Sequence, residues 1–267
     1  MGADIKSLRT RIKSVNSMLH LTKAMELVAS SKIRKANQAM SAGREYLQAM
    51  RETIDGLTSC NECMRSPYMQ NRGEGNTRLI VIAGDRGLAG GYNANVFKLA
   101  KQFPDAEIIP IGKRTCERFS KDGLSVETFG VSDAITIAEK LCADFSEGTF
   151  DRLGIISTKY ISVMSQEAQI TWLLPLTASE TKAKSDIIFE PDELSVLQAT
   201  VPAYVAAVVL ACVRESFASE VAARRVAMDS AGKNAQEMID ELGLAYNRAR
   251  QGAITQEITE IVAGSGL

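Results

Sequence analysis

Both ends of this chain lack proline and carry apolar residues at coiled-coil spacing, which restricts the fold more than any other feature. The six prolines, at positions 67, 104, 110, 175, 191 and 202, all lie in the middle, so the first 66 and the last 65 of the 267 residues have none. Proline in a helix interior removes a donor and clashes with the preceding turn, so two proline-free stretches of this length can each form one long helix. At the N-terminus Ile5, Leu8, Ile12, Val15 and Leu19 follow spacings of 3, 4, 3 and 4, after which the apolar positions shift to Leu21, Met25 and Val28. The first set is the seam of a coiled coil. Asp4 stands where a carboxylate suits the positive end of a helix dipole. The pattern predicts a helix from about Ala3 to Asp55 or Gly56, roughly 75 Å long at the usual rise.

The C-terminal stretch repeats the pattern. Met228, Ala231, Ala235, Met238, Leu242, Ala245, Ala249 and Gly252 alternate spacings of 3 and 4, and Ile239, Tyr246 and Ala253 repeat beside them every 7. Ile254, Ile258 and Ile261 carry an apolar stripe nearly to the end. A helix from Pro202 to Gly264 would span about 90 Å. Neither helix fits across a small globule, so the simplest arrangement pairs them antiparallel. The alanine-rich and glycine-rich seam favours close approach, although Gly232, Gly243 and Gly252 each cost roughly 1 kcal/mol relative to alanine.

Between the ends the pattern changes to strand and helix in alternation. Arg78–Gly84 and Ala106–Gly112 read as buried strands, each followed by a helix, at Tyr92–Phe103 and Lys113–Asp122. Ser132–Phe145 is an amphipathic helix. Asp151–Ser162 and Glu167–Leu176 read as a hairpin, Ile187–Phe189 as a last short strand, and Ser59–Thr77 as a loop. The expected fold class is α/β, a mostly parallel sheet with an antiparallel edge, set between the arms of a helical pair. The expected divisions are residues 1–58 (N-terminal helix), 59–77 (linker), 78–190 (α/β domain) and 191–267 (C-terminal helix).

Several function classes lose ground. The longest uninterrupted apolar run, Ala203–Val213, is short of the ~20 residues of a membrane span. The start MGADIKSLRT has no apolar leader core, and Lys6 stands where a myristoylation signal wants Ser or Thr. Five cysteines are an odd count for a disulfide framework, and the Cys60/Cys63 pair has no second pair and only His20 as a histidine, so no metal is expected. A single histidine also argues against histidine-based catalysis. The net charge of -1 conceals an asymmetry, because residues 1–51 hold ten Lys/Arg and three Asp/Glu. That basic arm has only Tyr46 as an aromatic, so it lacks the interleaved stacking residues of a nucleic-acid binder.

The loop GDRGLAGGYN (Gly84–Asn93) follows a strand and opens a helix, where a phosphate loop would sit. Its glycines at 84, 87, 90 and 91 match neither G-x-G-x-x-G nor a Gly-Lys-Ser/Thr ending, and so no cofactor is expected. Gly112-Lys113-Arg114 could imitate a site for a 2′-phosphate, and Asp85 with Arg86 could equally be an exposed contact pair. A nucleotide-dependent α/β enzyme is therefore the weaker alternative, alongside a nucleic-acid-binding helical arm.

Three stretches resemble one family. LTKAMELVASSKIRKA (Leu21–Ala36), GDRGLAGGYN and the long terminal motif Val226–Leu267, with Glu190–Asp192 before the last helix, are similar to the gamma subunit of F-type ATP synthases. The resemblance spans the chain in the family's order. It departs at Gly252, where alanine is usual, at Gly232 and Gly243, and in the G-S-G-L tail, and it lacks the cysteine-containing insert of the chloroplast form. It implies an antiparallel coiled coil with a Rossmann-like domain at its base. It also implies a non-catalytic rotor shaft inside a ring of alpha and beta subunits, seated on epsilon and the c-ring at the cytoplasmic face of a bacterial membrane. Ring contacts implied by the resemblance are Lys23, Met25, Lys32, Arg34 and Lys35 on the first helix, and Arg248, Arg250, Gln251, Thr255 and Glu257 on the last. Asp85, Arg86 and Tyr204 are candidate contacts at the base.

Overall fold

The computed structural model describes residues 2–73, 75–178 and 189–264. The elements run α1 (Gly2–Ala42), α2 (Arg44–Thr58), β1 (Thr77–Ile82), α3 (Tyr92–Ala100), β2 (Glu107–Ile111), α4 (Lys113–Phe119), α5 (Val131–Ser146), β3 (Arg152–Tyr160), β4 (Gln166–Leu174) and α6 (Glu193–Gly264). The chain divides into two compact units, Met1–Ser30 with Arg224–Leu267, and Ser31–Ala223.

The larger unit is built on a four-stranded sheet in the order β2-β1-β3-β4. β1 pairs in parallel with β2 and β3, and β4 closes the edge antiparallel to β3. β1 is a continuous apolar run because both of its faces are covered. Ile80 and Ile82 face a core with Leu57 of α2, Leu141 and Phe145 of α5, and Leu197, Val201, Val205 and Val209 of α6. Leu79 and Val81 face the opposite side, with Val96 and Ala100 of α3. Pro110 is tolerated inside a strand because β2 is at the sheet edge, where a missing donor breaks no ladder. Ile187 and Ile188, in the expected last strand, lie outside the described residues; Phe189 is in no strand.

The helices differ from expectation in three places. The N-terminal helix is interrupted at Gly43, between α1 and α2. The stretch expected as a loop before β1 contains two short 3₁₀ turns, Glu62–Arg65 and Pro67–Met69, which bury Cys63, Tyr68 and Met69 in the core. α6 begins at Glu193, nine residues before Pro202. Asp192 starts it by accepting hydrogen bonds from Ser195 N and Ser195 Oγ, both at 2.8 Å. An 18-residue window of α6 is apolar enough, at mean hydropathy 2.1, to cross a membrane by composition. Part of that apolarity serves the core, since Val201, Val205, Val208, Val209 and Val213 are buried in it.

The smaller unit is a helix pair. Leu19 and Thr22 lie beside Gly232, where an added Cβ would meet Thr22 Oγ1 at 3.5 Å and Leu19 Cδ1 at 3.9 Å. Ile5, Leu8, Ile12 and Val15 are half-buried. Within this unit they can be covered only by the stretch of α6 past Gly232, so the two helices run antiparallel. The seam on α1 does not shift as expected. Leu21 and Val28 are 60% and 57% exposed, and the buried line continues through Thr22 and Ala29. Thr22 can occupy the seam because its hydroxyl donates to Leu19 O at 3.0 Å. On α6 the expected seam positions 228, 231, 235, 242 and 249 are covered, as are 232, 239, 243, 246 and 253, while Met238, Ala245 and Gly252 are exposed. The seven-residue file of Ile239, Tyr246 and Ala253 thus takes the place of these three seam positions.

Candidate functional site

The loop after β1 is held by one carboxylate. Asp85 accepts hydrogen bonds from Lys113 N at 2.9 Å, Val126 N at 3.2 Å, Glu127 N at 2.9 Å and Ser125 Oγ at 2.6 Å. Partial burial pushes its pKa up, but these four bonds outweigh it and leave the carboxyl below its ordinary value. The amides of Lys113, Val126 and Glu127 therefore bind a side chain of the chain itself, so Asp85 ties three loops together. Asn93 adds a second tie, accepting from Gly84 N at 2.9 Å.

Arg86 projects from this loop with its Nη2 3.3 Å from Glu127 Oε2, and Lys32 of α1 lies 2.5 Å from Glu127 Oε1. Lys32 holds the Glu127 carboxyl below its usual range. Lys32, implied as a ring contact, is thus engaged with its own chain, while Arg34 and Lys35 are exposed. Tyr204 is half-buried beside Arg51 and Asp55 of α2, and burial raises its hydroxyl pKa. It packs against the core of the larger unit.

In the smaller unit Lys23 is exposed and Met25 half-buried, one and three residues past Thr22. Arg248, Arg250, Gln251, Thr255 and Glu257 are all exposed. They begin 16 residues past Gly232, about 24 Å along the helix. The two sets occupy different levels of the helix pair and do not form one site. Past Ala253 every described residue of α6 is exposed, including Ile254, Ile258, Ile261 and Val262.

Sequence reasoning missed a polar stripe on α6. Glu215 Oε1 accepts from Tyr160 N at 3.1 Å, and Ser216 Oγ accepts from Thr158 N at 3.1 Å. Ser216 O accepts from Tyr92 Oη at 2.9 Å, and Ser219 Oγ donates to Thr158 O at 3.3 Å. Glu220, only 2% exposed, lies against Gly84, where a Cβ would come within 2.6 Å of its carboxyl carbon. Gly84 is therefore required by close approach. The available signal was the cluster of Glu215, Ser216, Ser219 and Glu220 inside an otherwise small and apolar run.

The five cysteines are free. Burial raises the Cys63 thiol to about 11, Cys142 to about 12 and Cys212 to about 11. Among the described residues no three His, Cys, Asp or Glu side chains are grouped to hold a metal.

A family model described as ATP synthase matches residues 4–266. The ATP synthase gamma chain of Ruminococcus albus is 41% identical over 98% of this chain and 98% of its own length. The chain belongs to the ATP synthase gamma-chain family. Its fold is similar to a chain in the Euglena gracilis mitochondrial ATP synthase assembly of OSCP, F1 and c-ring in rotational state 3, with TM-score 0.74, 20% identity, and 100% of this chain and 97% of that one covered. A second Euglena gracilis structure, of the rotor in rotational state 1, gives TM-score 0.65 and 19% identity over 95% and 100% of the two chains. The central stalk and c-ring structure from Tetrahymena thermophila gives 0.61 and 20% over 79% and 99%. These likenesses show the fold alone, long N- and C-terminal helices together with a four-stranded sheet.

Proposed function

We propose that the chain is the rotor shaft of an F-type ATP synthase, coupling ion-driven rotation of a c-ring to ATP synthesis and hydrolysis on beta subunits. The observation that carries this is the gamma-chain relative matched over 98% of both lengths, including both long end helices. The division of labour follows the expected segments. Residues 1–58 and 191–267 form the shaft, 78–190 the base, and 59–77 the connection.

In this reading the chain makes and breaks no bonds. An asymmetric shaft presents a different surface to each beta subunit as it turns, and each orientation favours a different open or closed state. A partner shifts such an equilibrium only by its differential contacts with the two states. Exposed Lys23, Arg34, Lys35, Arg248, Arg250, Gln251, Thr255 and Glu257, with Met25, meet the alpha and beta ring. The loop of Asp85 and Arg86 and the region of Tyr204 serve the base, toward epsilon and the c-ring. The complex works at the cytoplasmic face of a bacterial cell membrane, to which this chain is peripheral.

Reconstitution with alpha and beta subunits tests the reading. ATP hydrolysis should depend on this chain, and a probe fixed to the base should rotate during turnover. Full hydrolysis without the chain, or turnover with a stationary probe, would overturn it.

A further inference from the structure

A cleft of about 630 Å³ opens in the larger unit where the N-terminal helix is interrupted at Gly43. Its two walls are helix faces. On α2, Arg44, Leu47, Gln48 and Arg51 recur at i, i+3, i+4 and i+7. On α6, Ala207, Leu210, Ala211 and Arg214 do the same. Such spacing places each set on one side of its helix. The helices run antiparallel here, since Arg214 lies at Gly43 and Tyr204 beside Arg51. The cleft therefore has an apolar middle, with Arg44 and Arg214 at one end and Arg51 about 10 Å away.

The charge is unbalanced. Among the described residues no carboxylate is in ion-pair range of Arg44, Arg51 or Arg214. The one acid on the lining is Glu215, which already accepts from Tyr160 N. Guanidiniums are suited to phosphate because their planar fork donates two parallel bonds. The volume lies within the range of small-ligand sites, roughly 300–1,000 Å³. Tyr46, also on the lining and more than half exposed, offers an aromatic face beside the Arg44 end.

We propose that the cleft between α2 and α6 binds a small organic polyphosphate of the nucleoside di- or triphosphate class. The phosphates lie at Arg44 and Arg214. The ring system lies over Leu47 and Leu210, its polar edge toward Gln48 and Arg51. This site is separate from the Gly84–Asn93 loop and does not depend on the rotor reading. A ligand here would bridge α2 and α6 at the interruption and so stiffen that joint.

Calorimetric titration of the isolated full-length chain with ATP, and separately with pyrophosphate, tests the proposal. Saturable ATP binding is expected, with pyrophosphate at least about tenfold weaker because it leaves the apolar middle empty. Arg214→Gln should weaken ATP at least about tenfold, and so should Arg44→Gln, whose exposed position spares the fold. Lys13→Gln, exposed in the other unit, should change nothing. Absence of saturable ATP binding at millimolar concentration, equal affinity for pyrophosphate, or an equal loss in Lys13→Gln would overturn the proposal. Circular dichroism on each variant separates loss of the site from loss of the fold.

Discussion

The two units of this chain bury very different things. In the larger unit the fully buried side chains include Phe145, Phe150, Leu57, Ile80, Ile155 and Leu174. In the smaller one the buried apolar residues are Leu19, Ala29, Met228 and Ala235. Burial stabilises roughly in proportion to the apolar area removed from water, so the sheet unit has a conventional core and the helix pair a thin one. The helix pair also leaves Leu21, Leu27, Val28, Ile258, Ile261 and Val262 largely exposed. A surface of that kind is better explained by a partner than by the chain's own stability. The contrast is consistent with a base that must hold its shape and a shaft completed by what surrounds it.

The largest expected effect attacks the thick core. Phe145 stacks at 6.2 Å on Tyr68, meets Phe150 edge-on at 5.4 Å, and lies under the Arg72 guanidinium at 4.9 Å. Phe145→Ala should cost about 3–5 kcal/mol, read as a fall in the urea midpoint. Hydrogen exchange in residues 4–30 should be unchanged. If those residues exchanged faster by the same factor, the two units would unfold as one.

Next comes the carboxylate that ties the loops. Asp85→Asn should cost about 2–3 kcal/mol, because a charged acceptor of several bonds is lost. Its pKa is lowered by folding, so its contribution is present above the ordinary carboxylate value of ~3.9 and is lost as pH falls through the lower folded value. The wild-type midpoint should therefore drop steeply below about pH 4, and the variant should lose part of that slope. Identical slopes would remove Asp85 from the acid response.

Much of this was legible in the sequence, and the rest had physical reasons for being hidden. β1 and α5 were readable because their periodicity reports burial directly. The interruption at Gly43 was not, since its φ of -97° and ψ of -3° stay close to helical values and one glycine is a weak breaker. Hydrophobicity points to Leu21 as the seam, whereas Thr22 is buried there instead because it bonds its own backbone. The coiled-coil pattern places the start of α6 at Pro202, whereas the helix begins at Glu193, within the expected 191–267 segment, because Asp192 caps it. The roles of Asp85 and Glu220 were invisible, because their partners lie 28 or more residues away in the chain.

A smaller and opposite effect belongs to the thin core. Nothing lies within 4 Å of a Cβ built at Gly243 or Gly252, so alanine fits at both without displacement. Each substitution should stabilise the helix by roughly 1 kcal/mol, seen as slower hydrogen exchange across residues 240–256 with no change in β1 or β3. In the thick core the same test has the opposite sign, because Gly84→Ala would drive a methyl into Glu220.

The smallest effect separates charges used within the chain from charges presented outward. Lys32 and Glu127 keep 36% and 39% of their side chains exposed, so their pair should contribute only about 0.5 kcal/mol and less at high salt. A double-mutant cycle with Lys32→Gln and Glu127→Gln measures it. Lys32 serves this internal pair, whereas Arg34 and Lys35 stand in solvent on the same helix. In the reconstituted complex Lys32→Gln should therefore disturb coupling less than Arg34→Gln with Lys35→Gln. If Lys32→Gln alone abolished the salt dependence of coupling, Lys32 would have to leave Glu127 for the ring, and Glu127→Gln should then strengthen that contact by releasing it.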